Sequence, residues 1–293
     1  MLKISAYHHP TSLEEAVRLL AEEGRTMIAG GTDLLVNPRY MRGVNEVIDI
    51  HGLGLDYITI REGWLLIGAG VTMRTVARYP AIQELADGIL ARAAAVCGSP
   101  NIRNMATLAG NVASALPSAD TPPALLALDA QVVLLGGKGE RVVPLKRFFT
   151  GPAQSIRERE LIRELRVPLA PIASPERRGG FYRIGRSAED ISLVNAAAVL
   201  VTQNNIISSA RLVLGAVAPT PLHCKRAEQA LLNQPASEAT FQRVAEIVRE
   251  EVSPISDQRA SAEYRRHVSG VAALRALRQA AGLAPHGEEW HHA

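Results

Sequence analysis

The stretch Ile28-Ala29-Gly30-Gly31-Thr32-Asp33-Leu34 closes a short apolar run, Thr26 to Ala29, on two glycines, a hydroxyl and a carboxylate. Paired glycines let a backbone approach another group closely and turn consecutive N–H groups toward one anion, to which Thr32 adds a hydroxyl donor. That is phosphate-binding chemistry, although Gly-Gly-Thr-Asp also makes an ordinary tight turn. Upstream, Lys3 to Tyr7 alternates like a strand, and Ser12 with Glu15 stands at the spacing of a helix capping box. Leu13, Ala16, Val17 and Leu20 form one apolar face of that helix, which Gly24 stops. Downstream, Glu46 to Ile50 reads as another strand, so the chain opens with a small α/β unit.

From Tyr57 the pattern changes. Tyr57 to Ile60, a turn at Glu62-Gly63 and Trp64 to Ile67 predict a hairpin, and helices are expected over 72–78 and 82–96. Residues 97–121 then keep neither strand nor helix periodicity, and irregular stretches of that length inside a compact domain are usually functional. Within them Thr107-Leu108-Ala109-Gly110-Asn111 makes a second small-residue turn, followed by Ser114, Pro117 and Asp120. A carboxylate is repelled by phosphate, so Asp120 suits the hydroxyls of a sugar or ribityl chain; it also stands at the N-cap position of a helix ahead of Pro122. Two such turns suggest a diphosphate held from two sides.

Strands at 131–135 and 141–144 flank a Gly-Gly-Lys-Gly turn, and Leu161 to Val167 reads as the next strand. Pro168, Pro171 and Pro175 with Arg177-Arg178-Gly179-Gly180 look like a linker. Beyond it, Phe181–Ile184, Val194–Thr202 and Ser208–Val217 predict a three-stranded antiparallel sheet with a turn at Asn204-Asn205, followed by helices over about 223–233, 239–251 and 258–281. Strands followed by helices make this tail an α+β domain. Val268, Val271, Leu274 and Leu277 lie at helical spacing on the last helix, as expected for packing on that sheet or, alternatively, on a partner.

A chain of 293 residues that is 47% hydrophobic should fold as about two domains. A net charge of +3 and only 4% aromatic residues argue against a nucleic-acid partner. Cys97 and Cys224 are too few for an iron–sulfur cluster or a four-thiolate zinc. No run approaches the length of a membrane span and the N-terminus lacks a signal-peptide core, so a soluble, cytoplasmic protein is expected. The dinucleotide G-x-G-x-x-G, the P-loop, H-E-x-x-H and G-x-S-x-G are all missing. His223 and Cys224 are neighbours on a predicted helix, point in different directions and read as structural. The ending HGEEWHHA has no metal-site spacing. No catalytic residue and no metal ligand is therefore assigned.

AGGTDLL at 29–35, SPNIRNMATLAGN at 99–111, PSADTPPALLALDA at 117–130, FFTGP at 148–152, ELIRELRVP at 160–168 and FYRIGRSAEDIS at 181–192 occur in one order. Together they resemble the FAD-binding medium subunit of the molybdenum hydroxylases, the xanthine dehydrogenase and carbon monoxide dehydrogenase type. The resemblance covers nearly the whole chain. It implies an α+β protein: a two-subdomain FAD-binding domain of the vanillyl-alcohol-oxidase (PCMH) type over residues 1–175, divided near 55/56, then a C-terminal α+β domain over 176–285 and a flexible tail at 286–293. It also implies FAD contacts at Ile28, Ala29, Gly30, Gly31, Thr32, Asp33 and Leu34, at Ile102, Thr107, Ala109, Gly110 and Asn111, and at Ser114 and Asp120. Leu161, Ile162, Tyr182 and Arg183 fall where the family reaches the isoalloxazine edge.

Two departures stand out. The second turn reads TLAGN where the family commonly has T-x-G-G-N, so Ala109 adds a methyl group and would weaken FAD binding if its φ had to be positive. Arg183 stands where many members carry lysine, and Ser187 replaces an arginine. In complexes of this family the substrate is oxidised at a molybdenum cofactor in a large subunit, and electrons pass through [2Fe–2S] clusters of a small subunit to FAD. The implied role of this chain is to hand those electrons to NAD+ or another acceptor. The alternatives are a free-standing flavin oxidoreductase of the same superfamily, whose motifs match less well after residue 99, and a non-redox module that binds a nucleotide or a partner.

Overall fold

The computed structural model describes residues 4–169 and 177–284. Lys3, Pro171, Pro175, the expected boundary at 175/176 and the tail lie outside the described residues.

The first unit comprises β1 (Ala6–His8), α1 (Leu13–Leu20), β2 (Arg25–Ile28) and β3 (Glu46–Asp49), with strand order β1-β3-β2 and both pairs parallel. Ser12 Oγ accepts the Glu15 N–H at 3.1 Å while the Glu15 carboxylate accepts the Thr11 N–H at 3.0 Å, so the residues read as a cap do start α1. Parallel strands need a crossover, and α1 provides it between β1 and β2.

β4 (Ile58–Arg61) and β5 (Trp64–Gly68) form the expected hairpin, with Glu62 and Gly63 both at positive φ as a two-residue turn requires. Next come α2 (Met73–Arg78), α3 (Pro80–Glu84) and α4 (Ile89–Ala95). The single helix expected over 82–96 is broken because Ala86, Asp87 and Gly88 all take positive φ. The stretch read as irregular holds α5 (Pro100–Met105) and α6 (Leu108–Ser114), each too short to display a periodic apolar face. Then follow α7 (Thr121–Ala127), β6 (Gln131–Gly136), β7 (Gly139–Pro144), the small hairpin β8 (Phe149–Gly151) and β9 (Gln154–Ser155), and β10 (Glu160–Pro168). The second sheet has the antiparallel order β4-β5-β10-β6-β7, so its last strand in sequence occupies its centre.

The C-terminal sheet orders β11 (Arg177–Ile184), β12 (Val194–Gln203), β13 (Ile206–Gly215) and the two-residue β14 (Leu222–His223). It thus carries the three expected antiparallel strands plus a short fourth at its edge, and its helices are α8 (Lys225–Leu231), α9 (Glu238–Glu251) and α10 (Ala262–Ala280). Asn204 and Asn205 make the β12–β13 turn at positive φ. Arg177 to Gly180, read as linker, are instead the first half of β11. Glycine in a strand often marks a close backbone approach, and this pair does so on both faces. A Cβ on Gly179 would lie 2.4 Å from the Ala86 carbonyl oxygen, and one on Gly180 1.9 Å from that of Ala276 in α10.

Both faces of this sheet are covered, which explains why β12 is apolar along most of its length rather than alternating. Val194, Ala196, Ala198 and Leu200 join Val268, Ala272, Ala276 and Leu277 of α10 in one core. Ala197 and Val199, with Phe181 and Val213, join the core of the N-terminal domain. Of the four residues expected on the apolar side of the last helix, Val268 and Leu277 are buried on its own sheet and Leu274 packs partly against that core, while half-buried Val271 does not join it. The two domains meet along the sheet, and the loop at 185–193 reaches back over the N-terminal domain.

Candidate functional site

A cavity of about 440 Å³ opens where the turn after β2, helices α5 and α6, the start of α7 and the 189–191 loop converge. That size suits a small-molecule or cofactor site. Ala29, Gly30, Gly31, Thr32, Asp33 and Leu34 line it from one side, and Ile102, Thr107, Gly110, Asn111, Ser114 and Asp120 from the other. The two small-residue turns, far apart in sequence, face one space.

Each glycine of the first turn has its own reason. A Cβ on Gly30 would sit 1.8 Å from the Met105 carbonyl oxygen, so the close approach is to the protein's own backbone at the end of α5. Gly31 has φ +67°, a left-handed conformation that glycine adopts without strain. Among the described residues, the N–H groups of Gly30, Gly31, Thr32, Asp33 and Leu34 donate to no protein acceptor, while the turn closes through Leu35 N–H to Gly31 O at 3.0 Å and Asn37 N–H to Asp33 O at 2.9 Å. A run of unpaired N–H groups on a cavity wall is receptive to an anion.

The second turn is held to the residues around α2, and the end of its helix to the segment after β2. Thr107 caps α6, its hydroxyl accepting the Gly110 N–H at 3.0 Å, and its flanks tie to α2 through Met73 N–H to Ala106 O and Leu108 N–H to Val71 O. Tyr40 donates to the Ser114 carbonyl at 2.8 Å, joining the segment that follows the first turn to the end of α6. Thr121 donates to the Asn111 side-chain oxygen at 2.6 Å. Thr107→Ala is expected to cost about 1 kcal/mol, the usual loss for an N-cap hydroxyl, read as a lower denaturation midpoint at unchanged m-value.

Electrostatically the cavity is acidic, with Asp33, Asp120, Glu189 and Asp190 on its wall. Burial pushes the Asp33 and Asp120 carboxyls upward; the Ser114 hydroxyl opposes this for Asp33, and Arg183, Ser192 and Asn195 oppose it for Asp120. Asp120 is fully enclosed and accepts hydrogen bonds from Ser192 Oγ and, at 3.1 Å, from Asn195 Nδ2. Both donors belong to the C-terminal domain, so this carboxylate links the cavity to the domain contact. Burial, followed by Asp33, raises the Tyr40 phenol to about 12. Burial, then Asp120 and Asp33, raises the Cys97 thiol to about 12, which leaves it a neutral wall residue rather than a nucleophile.

Six residues named from the sequence are not on the cavity wall. Ile28 is a buried end of β2, and Ala109 is buried in the first turn of α6 without positive φ, so its methyl group imposes no backbone strain. Leu161 and Ile162 are core side chains of β10, paired with Leu135 and Leu134. Tyr182 lies under the Arg275 guanidinium, whose carbon is 4.7 Å from the ring centroid. Arg183 is buried and donates to the carbonyls of Val96, at 2.7 Å, of Ala188 and of Asp190. It thereby positions the loop bearing Glu189, Asp190 and Ile191, and acts one layer behind the wall. Conversely, Tyr40, Cys97, Arg157 and the 189–191 loop line the cavity without having been assigned to it. Among the described residues no cluster of three His, Cys, Asp or Glu side chains is placed to hold a metal, and no helix is long and apolar enough to cross a membrane.

An anion-receptive cavity between two such turns, with no Rossmann signature, defines a cofactor-binding α+β protein of a different class. Residues 2–170 match the family described as FAD binding domain in molybdopterin dehydrogenase, and residues 180–280 match the CO dehydrogenase flavoprotein C-terminal domain. The chain is 35% identical over 279 residues to a xanthine dehydrogenase FAD-binding subunit of Escherichia coli O157:H7, covering 92% of this chain and 93% of that one. It is 30% identical over 285 residues to the carbon monoxide dehydrogenase medium chain of Hydrogenophaga pseudoflava, covering 94% and 96%. The solved carbon monoxide dehydrogenase from Hydrogenophaga pseudoflava, which lacks the Mo-pyranopterin moiety of its cofactor, contains a chain that superposes with a TM-score of 0.90 at 29% identity, covering 97% of this chain and all of that one. A chain of quinoline 2-oxidoreductase from Pseudomonas putida 86 superposes with a TM-score of 0.89 at 28% identity, covering 97% and 99%. The chain belongs to the FAD-binding subunits of the molybdopterin dehydrogenases, the oxidoreductases of the xanthine and carbon monoxide dehydrogenase type.

Proposed function

We propose that the chain holds FAD in the cavity between Ala29–Leu34 and Thr107–Asn111 and serves as the flavin stage of a molybdenum hydroxylase. In this reading a large partner subunit oxidises the substrate at a molybdenum cofactor, a small partner passes the electrons through [2Fe–2S] clusters, and they leave this chain for NAD+ or another acceptor. The observation that supports it most is the run of unpaired N–H groups from Gly30 to Leu34 facing Thr107, Asn111 and Ser114 across one cavity. Those N–H groups bind the diphosphate, and the Thr32, Asn111 and Ser114 side chains add polar contacts beside them. Asp120 accepts from ribityl hydroxyls. The flavin supplies the redox chemistry, and the protein orients it, excludes water and sets the field around it.

The experiment is the visible spectrum of the purified chain with release of the chromophore on denaturation. Stoichiometric, non-covalent FAD is expected, with no substrate turnover by the isolated chain. A chain that stays colourless in excess FAD, with and without its partner subunits, would overturn the reading.

A further inference from the structure

Among the described residues, Arg157 is the one wall residue of the cavity with a fixed positive charge. Among the described residues its guanidinium has no hydrogen-bond or ion-pair partner; only its backbone N–H is engaged, by Ser155 Oγ. The carboxylate whose field reaches it is Glu160, and both oxygens of that group are already taken by Arg141, through Nε and Nη2 at 2.7 Å each. Of the four acids on the wall, Asp120 is taken by Ser192 and Asn195, and Asp190 by Arg186 at 2.6 Å. An arginine half-buried on a cavity wall, with five donors and no protein acceptor, is only partly compensated by water and is receptive to an arriving anion. Desolvation accordingly lowers its pKa from the ordinary guanidinium range.

Resting on the FAD reading above, we infer that Arg157 is a positioning residue for the cofactor's diphosphate, supplying from β9–β10 the counter-charge that the two small-residue turns lack. The turns offer N–H dipoles and hydroxyls in a cavity walled by carboxylates, and the approach of a doubly negative group to that wall is opposed. Arg157 offsets this repulsion and orients the dinucleotide with its phosphates away from Asp120 and the 189–191 loop. The same guanidinium stands uncompensated when no anion is bound, so it exchanges stability of the cofactor-free chain for affinity.

That exchange makes the test specific. Flavin-free wild type, Arg157→Met and Arg157→Lys are titrated with FAD by fluorescence at low and high salt, and the melting temperature of each flavin-free chain is recorded. Arg157→Met is expected to bind FAD about tenfold or more weakly, as for a lost charge-assisted contact. It should also lose part of the salt dependence and melt higher than the wild type without FAD. Arg157→Lys, which keeps the charge, is expected to restore most of the affinity. Arg157→Met binding FAD as tightly as wild type, or melting lower in the flavin-free state, would overturn the inference while leaving the FAD reading intact. A wild-type chain that binds no FAD under any condition would overturn both.

Discussion

Replacing Gly30 by alanine is expected to leave little folded protein, with the residue that survives melting well below the wild type and taking up no FAD. The added Cβ would stand 1.8 Å from the Met105 carbonyl oxygen, 2.4 Å from its carbon and 3.0 Å from the Ala106 nitrogen. All three atoms are backbone, so nothing can rotate out of the way. The two turns must separate, and with them the Tyr40 to Ser114 bond at 2.8 Å. Overpacking of this kind costs on the order of 3 kcal/mol or more. Other glycines calibrate the result. Gly31→Ala meets only the flexible Leu35 and Ile28 side chains, at 3.1 and 3.2 Å, plus the strain of its positive φ, and should cost less. Gly137→Ala meets nothing within 4 Å and should be silent in the same thermal melts.

Asp120→Ala is the second large effect. It leaves the buried Ser192 hydroxyl without its acceptor, while Asn195 Nδ2 keeps only the Ala119 carbonyl at 3.3 Å, and an unpaired buried group costs about 1–3 kcal/mol. A loss of about 1–3 kcal/mol is expected in denaturant titration, together with weaker FAD binding, because one carboxylate serves both the domain contact and the cavity. Asp120→Asn separates shape from charge, since its amide oxygen can still accept from both donors. Burial raises the folded-state pKa of Asp120 above its unfolded value, so between the two values the native state holds more protons than the unfolded state and stability falls as pH rises. The stability of wild type minus that of Asp120→Asn should therefore decline from acidic pH upward through the raised pKa and then level off. A pH-independent difference would mean that the carboxylate ionises in the fold as easily as in water.

Much of the fold is legible in the residues for local reasons. Ser12 and Glu15 cap α1, Glu62-Gly63 and Asn204-Asn205 turn the hairpins, and strands and helices of the C-terminal domain fall close to their apolar patterns. Where local reading misses, a tertiary contact is the cause. Arg177 to Gly180 look like linker by composition, yet they are strand because Gly179 and Gly180 admit Ala86 and Ala276 against opposite faces. Helices α5 and α6 escape periodicity by their brevity, although Ser99 ahead of Pro100 and the Thr107 hydroxyl were cap signals in plain sight.

The sequence by itself determined the α+β class, the order of most strands and of the C-terminal helices, the two small-residue turns and, through the ordered motifs, the family. These are properties of short segments and their succession, which local backbone preferences and apolar patterning set. Tertiary structure alone decided that the two turns share one cavity, that Gly30 serves the protein's own packing, and that Arg183 braces a loop instead of lining the wall. It also decided that the Arg157 side chain lines the cavity with no protein partner among the described residues. Whether a charge is paired depends on which neighbours the fold brings within reach, and Arg141 claims the carboxylate that sequence proximity would have assigned to Arg157.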